Sequence, residues 1–302
     1  MAWRNVIITQ HAKLSYSSNM MQVQTSKGIT QIPLSDIALL LVESTQAVIT
    51  SQLISKLAEQ GCKVIFVDNK YNPITETVNY YAPKCNYQNL LAQLHWDETL
   101  KQRLWTEVVW LKMNNQLNVL KNYHLPTEKV EQEINKLEFN DVSNREAVVA
   151  REYFQELFGK SFVRQDEGDT INAALNYGYS ILLSSFNRRI VQNGYETYLG
   201  IHHSSIANQF NLASDLMEPF RPFVDYWVAG QKLKDFTPDV RYGLVELLSL
   251  QIKYNGKAIL LANAIDLFTK ECLGYLSNDV DKVESVMDFV NEVPNHAIAD
   301  NV

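Results

Sequence analysis

Cysteine is scarce in this sequence. Its 302 residues include only Cys62, Cys85 and Cys272, which lie far apart and are odd in number. Disulfide frameworks and zinc sites both need paired or clustered cysteines, so this spacing indicates neither. We expect reduced thiols in a cytoplasmic protein.

Long apolar runs are also missing. The longest ones, such as Ile37 to Val42, are far shorter than the roughly 20 residues that a membrane-spanning helix needs. Residues 1–5 show neither the basic region nor the apolar stretch of a secretion signal. Because hydrophobic residues make up 46% and charged residues 20% of the chain, we expect a globular protein with no membrane partner.

The chain lacks the basic excess that is usual in DNA-binding proteins. Its net charge is −7, and the acid is concentrated near the C-terminus. Residues 266–302 hold eight Asp or Glu against Lys270 and Lys282, a net of −6, which leaves −1 for residues 1–265. The composition therefore neither supports nor excludes a DNA surface, which would have to be a local patch formed by folding or oligomerisation.

Several catalytic signatures are absent as well. No glycine-rich phosphate loop follows a predicted strand, which argues against a nucleotide-binding domain. The sequence contains no Gly-x-Ser-x-Gly elbow, no His-Glu-x-x-His helix and no Cys-x-x-Cys pair. Serine-hydrolase and zinc chemistry therefore have little support.

The N-terminal part of the chain has the pattern of β-strands. Short, often alternating apolar segments are separated by turn residues, and one of them, Ile37 to Val42, looks fully buried. A helix is predicted over Ser51 to Gln60, where apolar residues have helical spacing and Gly61 ends the segment. The other predicted strands are Val6 to Ile8, Leu14 to Tyr16, Met21 to Thr25, Ile29 to Ile32 and Val64 to Val67.

From about Asn86 onward the pattern is almost entirely helical, and the last ten residues look frayed. We therefore predict an α+β protein, with a small N-terminal β-sandwich-like domain followed by a large all-α catalytic domain. The predicted boundaries are 1–75 for the β domain, 76–86 for a linker and 87–302 for the α-helical domain.

Glu146 is the first candidate functional residue. It stands in Ser143-Asn-Arg-Glu146, just before an apolar helical segment. This is the pattern of a capping box, in which the glutamate would serve the helix N-terminus. Taken alone, Glu146 is better explained by capping than by chemistry.

Two adjacent histidines form the second candidate. Neighbouring residues diverge by about 100° on a helix, so His202 and His203 cannot share one helix face. One of them could point into a site and the other elsewhere. Surface or core histidines without a function explain the pair equally well.

An acidic pair forms the third candidate. Asp215 and Glu218 are three residues apart and would share a helix face, where two carboxylates repel each other unless a cation lies between them. A solvated acidic face, or pairing of Glu218 with Arg221, explains them equally well. Carboxylates with a histidine and without cysteine suit Mg²⁺ or Mn²⁺, with Mn²⁺ favoured by the imidazole.

The order and flanks of these residues resemble the CRISPR adaptation integrase family, CRISPR-associated protein one. The matching segments are Glu146 with Ala150 and Tyr153, then Gly200-Ile-His-His203, then Asp215-Leu-Met-Glu-Pro-Phe-Arg-Pro222. Residues 172–179, 32–37 and 64–68 also resemble family segments, so the likeness extends to about residue 230. Pro219 and the doubled histidine look most like the type II form.

The resemblance implies a site. Its metal ligands and catalytic residues would be Glu146, His203 and Glu218, since His203 holds the fourth place of the Gly-x-x-His turn, and Asp215 would support them. Implied or predicted DNA contacts are Arg145, Arg164, Asn172, Tyr179, Arg188 and Arg189.

The resemblance also implies a reaction and an assembly. A 3′ hydroxyl of a short DNA fragment would attack a phosphodiester at the border of a CRISPR repeat by transesterification, with Mg²⁺ or Mn²⁺ bound. The implied partners are double-stranded DNA, a second copy bound through the β domain, a dimer of CRISPR-associated protein two bridging two integrase dimers, and other type II adaptation proteins. A structure-selective nuclease on branched DNA and a non-catalytic DNA-binding scaffold remain alternatives.

Overall fold

The computed structural model describes residues 4–69, 71, 73–77, 87–166, 168–231 and 233–290. The chain forms two compact units, Met1–Ala82 and Pro83–Val302. Cys85, most of the predicted linker 76–86 and the last ten residues lie outside the described residues. Cys62 and Cys272 are buried, reduced cysteines.

The first unit contains two four-stranded sheets. Its strands are β1 Arg4–Ile8, β2 Lys13–Ser17, β3 Met20–Thr25, β4 Gly28–Pro33, β5 Ile37–Val42, β6 Val48–Ile49, β7 Lys63–Val67 and β8 Pro73–Glu76, and its helix is α1 Ser51–Glu59. One sheet has the order β1-β5-β7-β8 and the other β4-β3-β2-β6. β1, β5 and β7 are parallel, whereas β2, β3 and β4 form an antiparallel meander.

The apolar run of β5 is explained by its place in the sheet. β5 lies between β1 and β7, and five of its six residues are buried. Parallel strands covered on both faces have continuous apolar sequences for this reason. Around it the core contains Leu14 and Met21 from the second sheet and Leu53 and Leu57 from α1.

Local signals set the turns of this unit. Ser18 and Asn19 join β2 to β3 with positive φ angles of 51° and 62°, as a two-residue hairpin turn requires. Thr50 caps α1 by accepting from the backbone N–H of Leu53, and Gly61 follows its end with a φ of 67°. The predicted strands and this helix are confirmed, but β8 was not predicted, because it is only four residues long and begins at a proline.

The second unit is mostly helical, as predicted. Its helices are α2 Tyr87–Leu94, α3 Glu98–Asn122, α4 Glu128–Ile134, α5 Arg145–Phe158, α6 Thr170–Gln192, α7 Asn211–Leu216, α8 Arg221–Gly230, α9 Pro238–Glu246 and α10 Leu261–Leu276. Short 3-10 helices lie at Phe139–Asp141, Glu218–Phe220 and Leu247–Ser249. α3 packs against α5 and against the 3-10 helix Glu218–Phe220. Among the described residues, no helix is long and apolar enough to cross a membrane.

This unit also contains a small antiparallel sheet, which corrects the all-α expectation in detail. β9 Gln251–Tyr254 is the central strand, between β10 Lys257–Leu260 and β11 Met287–Phe289. Asn255 and Gly256 form the two-residue turn from β9 to β10, with φ angles of 49° and 75°. Asn-Gly between two strands is a strong hairpin signal, so the sequence did carry this feature.

Candidate active site

Glu146 lies in the first turn of α5 and does not serve as its cap. The backbone N–H groups of Arg145 and Glu146 donate to the carboxylate of Asp141, at 2.6 and 3.1 Å. Asn144 precedes the helix with a φ of 53° and makes no side-chain cap. The capping-box interpretation is therefore wrong, and the Glu146 carboxylate is left to contact the ammonium of Lys112.

Glu218 reaches the same ammonium from another element. Its Oε2 lies 2.5 Å from Nζ of Lys112, and its Oε1 lies 3.0 Å from the guanidinium of Arg221. The Glu218 side chain is 5% exposed and that of Lys112 9% exposed. Two carboxylates from separate elements thus face one buried cation on α3.

Asp215 and Glu218 do not share a helix face. α7 ends at Leu216, and Pro219 lies in the 3-10 helix that follows, where it has no N–H to continue the α-helical ladder. The Asp215 carboxylate instead accepts from the backbone N–H groups of Ile201, His202 and His203, at 2.7, 3.0 and 3.1 Å. Asp215 is fully buried and holds the turn that carries both histidines.

His203 is oriented by the same carboxylate. Its Nδ1 lies 2.5 Å from Oδ1 of Asp215, which leaves Nε2 available to an incoming ligand. Gly200 allows this close approach, because a Cβ there would meet the backbone oxygen of His203 and lie 2.6 Å from Asp215 Oδ2. The His203 side chain is 46% exposed, and a cavity of about 380 Å³ opens beside it.

His202 has a different environment. Its ring stacks on the buried ring of Trp105, with centroids 4.1 Å apart and an interplanar angle of 2°. The His203 ring makes a T-shaped contact with the same tryptophan, at a centroid distance of 5.9 Å. The two histidines lie on a turn and not on a helix, and their rings are 5.6 Å apart and nearly perpendicular, so the helix-face argument does not apply to them.

The pKa values of the cluster follow from burial and charge. Burial acts to raise the pKa of Glu218, but Arg221 and Lys112 outweigh it and hold that pKa below its usual value. Burial acts to lower the pKa of Lys112, and the two glutamates reverse this, so the net shift is upward. The hydrogen bond to Asp215 raises the pKa of His203 against the opposing effect of burial. Glu218 is thus held ionised and Lys112 protonated.

Arg221 connects Glu218 to a second buried network. The Arg221 guanidinium lies over the ring of Tyr179, 4.7 Å from its centroid. The Tyr179 hydroxyl donates to Asp225 at 2.5 Å, and the Tyr153 hydroxyl donates to the other oxygen of Asp225 at 3.0 Å. Burial raises the pKa of Asp225 to about 6, although both tyrosine hydrogen bonds oppose the shift.

The predicted DNA contacts fall into two groups. Asn172 and Tyr179 are buried and their polar groups bond within the fold, so these two side chains do not present a surface to DNA. The four arginines are partly exposed. Arg145 pairs with Glu133 at 2.8 Å, Arg189 lies 3.5 Å from Asp266, and Arg164 donates to Asn172 and Asn176. Arg188 is half-buried on α6.

Lys112, Trp105, Arg221 and Asp225 belong to this site but were not predicted as site residues. The helical spacing of residues in α3 could have identified Lys112 as a buried lysine. Trp105, Val108, Val109 and Lys112 fall at intervals of three and four, which places a lysine on an otherwise apolar buried stripe. A charged side chain at such a position needs a partner of opposite charge.

The donor set suits a divalent cation, although the side chains are not arranged around one. Among the described residues, no three His, Cys, Asp or Glu side chains are placed to share a metal ion. Oε2 of Glu218 is nevertheless buried and has no polar partner besides Lys112 in the part of the chain that the structure describes. A buried carboxylate oxygen, a second carboxylate and an imidazole nitrogen are the ligands that Mn²⁺ or Mg²⁺ accepts.

Fold and site together define a class of protein with a β-rich N-terminal unit and a helical domain that carries a carboxylate-histidine cluster. The family model described as CRISPR associated protein Cas1 matches residues 6–239. The chain is 33% identical over 273 residues to the CRISPR-associated endonuclease Cas1 of Neisseria meningitidis serogroup C (strain 8013), covering 88% of this chain and 90% of that one. The chain belongs to the Cas1 family.

Solved structures show the same fold. A casposase bound to integration product superposes with a TM-score of 0.73 at 19% identity, covering all of this chain and 96% of that one. A chain of a Cas6-RT-Cas1–Cas2 complex superposes with a TM-score of 0.72 at 18% identity, covering 92% of this chain and 35% of that one.

Proposed function

We propose that this protein is a metal-dependent DNA integrase of CRISPR adaptation, of the type II form. The observation that carries the proposal is the convergence of Glu146 and Glu218 on one cation position near His203. Membership of the Cas1 family and the fold shared with a casposase bound to integration product support it. The proposed metal ligands are Glu146, His203 and Glu218.

The residues of the site have separable roles in this proposal. Glu146 and Glu218 provide two anionic oxygen ligands, and Arg221 keeps Glu218 ionised and oriented. Asp215 fixes the His203 ring so that Nε2 can bind the metal. Bound Mg²⁺ or Mn²⁺ would supply Lewis-acid polarisation of a phosphodiester oxygen. The exposed face of His203 and the cavity beside it leave room for DNA at the site.

The proposed reaction is a transesterification. The 3′ oxygen of the incoming DNA fragment forms a bond to the phosphorus of a phosphodiester at the repeat border. The bond from that phosphorus to the repeat strand's own 3′ oxygen breaks, the attacking hydroxyl loses its proton to solvent, and the leaving 3′ oxygen takes up a proton from solvent. If water attacked in place of the 3′ hydroxyl, the same site would act as an endonuclease, which is what the Neisseria relative is named.

The assembly we propose follows the Cas1–Cas2 composition of a structural neighbour. Two copies of this chain would pair through their β domains, and a dimer of CRISPR-associated protein two would bridge two such pairs. The outer strand β4 has exposed side chains along most of its length, including Ile29, and offers a surface for such pairing.

The test is strand transfer of protospacer DNA into a supercoiled plasmid carrying a CRISPR repeat, with CRISPR-associated protein two and Mn²⁺ present. We expect Glu146→Gln, Glu218→Gln and His203→Ala to lose joining by 100-fold or more, since each removes a ligand of the ion. Glu152→Gln is the matched control, because it changes a glutamate on α5 that pairs with Lys129 away from the site.

Joined products separate the candidate functions. Nicked plasmid without joining, in a reaction that depends on Glu218, would assign a nuclease. Full joining activity in a folded Glu218→Gln variant would refute the metal site. DNA binding that is indifferent to EDTA, with neither joining nor cleavage, would assign a scaffold.

A further inference from the structure

Lys112 is the feature of the site that the proposed chemistry does not use. Its side chain is 9% exposed, and its ammonium contacts both Glu146 and Glu218. The two glutamates come from α5 and from the 3-10 helix Glu218–Phe220, and α3, which carries Lys112, packs against both elements. The lysine therefore lies where the proposed ligands from these elements converge.

The Glu218 carboxylate divides its contacts between two cations. Its buried Oε2 lies 2.5 Å from Nζ of Lys112 and has no further polar partner among the described residues. Arg221 holds the other oxygen of Glu218, so Oε2 stays directed toward the position shared with Glu146.

Glu218 is buried and Glu146 is 25% exposed, and two carboxylates that contact the same ammonium repel each other unless a cation lies between them. Lys112 provides this cation when no metal is bound. A divalent cation at the same oxygens would repel the ammonium strongly, since charges of one sign interact over short distances in a medium of low dielectric constant. The ammonium and the metal ion therefore exclude each other.

We propose that Lys112 is an internal counter-cation of the metal-free site, and that a divalent metal binds by displacing its ammonium from Glu146 and Glu218. The proposal rests on the proposed function, because it takes these two glutamates as metal ligands. It makes Lys112 a positioning residue with two effects. It holds the ligands together before the metal arrives, and it weakens metal binding by competing for the same oxygens.

The experiment compares Mn²⁺ binding to the purified wild-type chain and to Lys112→Met by isothermal titration calorimetry. Methionine keeps most of the length of the side chain and removes the charge. We expect Lys112→Met to bind Mn²⁺ at least ten-fold more tightly than wild type. Its metal-free melting temperature should fall and should rise more on Mn²⁺ addition than that of wild type.

Lys121→Met is the matched control. Lys121 lies on the same helix and pairs with Glu131 at 3.1 Å. Its side chain is 53% exposed and contacts none of the proposed metal ligands in this pairing. Its loss should change neither the Mn²⁺ affinity nor the size of the metal-induced shift in melting temperature.

The outcomes distinguish this inference from the proposed function. Wild-type binding of Mn²⁺ with equal or weaker binding by folded Lys112→Met overturns the displacement alone. Absence of Mn²⁺ binding in wild type, Lys112→Met and Lys121→Met overturns the metal site itself. If Lys112→Met does not fold, a crystal structure of the wild-type protein with Mn²⁺ decides. Displacement predicts that Nζ has left both carboxylates, and a bound ion with Lys112 still between them refutes it.

Discussion

At the scale of single residues, Asp215 does the most to order the site while lying outside the proposed ligand set. Its two oxygens accept from three consecutive backbone N–H groups and from the His203 ring. These bonds fix both the path of the turn and the direction of the imidazole. Asp215 is therefore a positioning residue, as its place near the predicted ligands suggested.

Asp215→Asn should change the protonated ring nitrogen of His203 while leaving the protein folded. The amide oxygen can still accept from the backbone N–H groups of Ile201 and His202, which bond to Oδ2. The NH₂ group in place of Oδ1 would leave the backbone N–H of His203 without its acceptor, donate to Nδ1 of His203 and shift the ring proton to Nε2. That tautomer cannot bind a metal through Nε2. We expect a loss of roughly ten- to a hundred-fold in the rate of joined-product formation, the usual effect of removing such a partner.

Asp239→Asn is the control for this change. It alters an exposed carboxylate in the first turn of α9, outside the cluster, and it should leave the joining rate unchanged. Wild-type rates in a folded Asp215→Asn protein would show that the orientation of His203 does not depend on Asp215.

At the scale of elements, the start of α5 determines where Glu146 points. Asp141, three residues before Asn144, accepts the first N–H groups of the helix, so the Glu146 side chain does not need to fold back. The negative carboxylate also lies at the positive end of the helix dipole. Because Asp141 accepts these N–H groups, the Glu146 carboxylate can contact Lys112 instead.

Two alanine variants test this arrangement. Asp141→Ala should lower the free energy of unfolding by about 1–2 kcal/mol, because it removes the acceptor of two helix-start N–H groups. Ser143→Ala removes the residue that a capping box would use and should cost less than about 0.5 kcal/mol, as surface substitutions do. Urea unfolding of both variants gives the comparison, and a larger cost for Ser143→Ala would restore the capping-box interpretation.

The sequence predicted those elements whose pattern is local. Alternating strands, the Ser18–Asn19 turn and the Gly61 end of α1 all follow from residues close in sequence. The β9–β10 hairpin was also signalled locally, by Asn255-Gly256, but the surrounding helical pattern hid it. β11 pairs with β9 across more than 30 residues, and no local pattern predicts such pairing.

The candidate ligands could be named from the sequence, but their contacts and the other residues around them could not. The order of Glu146, His203 and Glu218 was visible through family resemblance. The link from both glutamates to Lys112 depends on the packing of α3, α5 and a 3-10 helix, which spacing along the chain does not reveal. Asp215 and Glu218 were predicted to share a face of one continuous helix. They do not, because α7 ends at Leu216, between the two residues.

At the scale of the whole molecule, charge is the main obstacle to DNA binding. The chain carries a net charge of −7, and partners within the fold engage three of the predicted DNA-binding arginines, Arg145, Arg164 and Arg189. Arg145 pairs with Glu133, and that carboxylate is shared with Lys136 at 2.6 Å. Both cations, Lys136 first, hold the pKa of Glu133 below its usual value, so the carboxylate stays ionised and competes with phosphate for Arg145.

We expect DNA affinity to depend on the assembly for this reason. The chain alone should bind double-stranded DNA weakly, with a shallow dependence on salt, and addition of CRISPR-associated protein two should steepen it. Each phosphate contact contributes about 0.9 to the slope of log affinity against log salt concentration. Arg145→Gln should therefore lower the slope of the full assembly by about 0.9 for each copy of the chain whose Arg145 guanidinium exchanges Glu133 for a phosphate. Fluorescence anisotropy between roughly 50 and 200 mM KCl measures the slope over the range where counterion release dominates.

Lys136→Gln is the matched control, since it removes the other cation paired with Glu133 and should leave the slope unchanged. Equal slopes for wild type and Arg145→Gln would place the DNA surface away from the start of α5, and the net charge of the chain would then have to be overcome by other residues of the assembly.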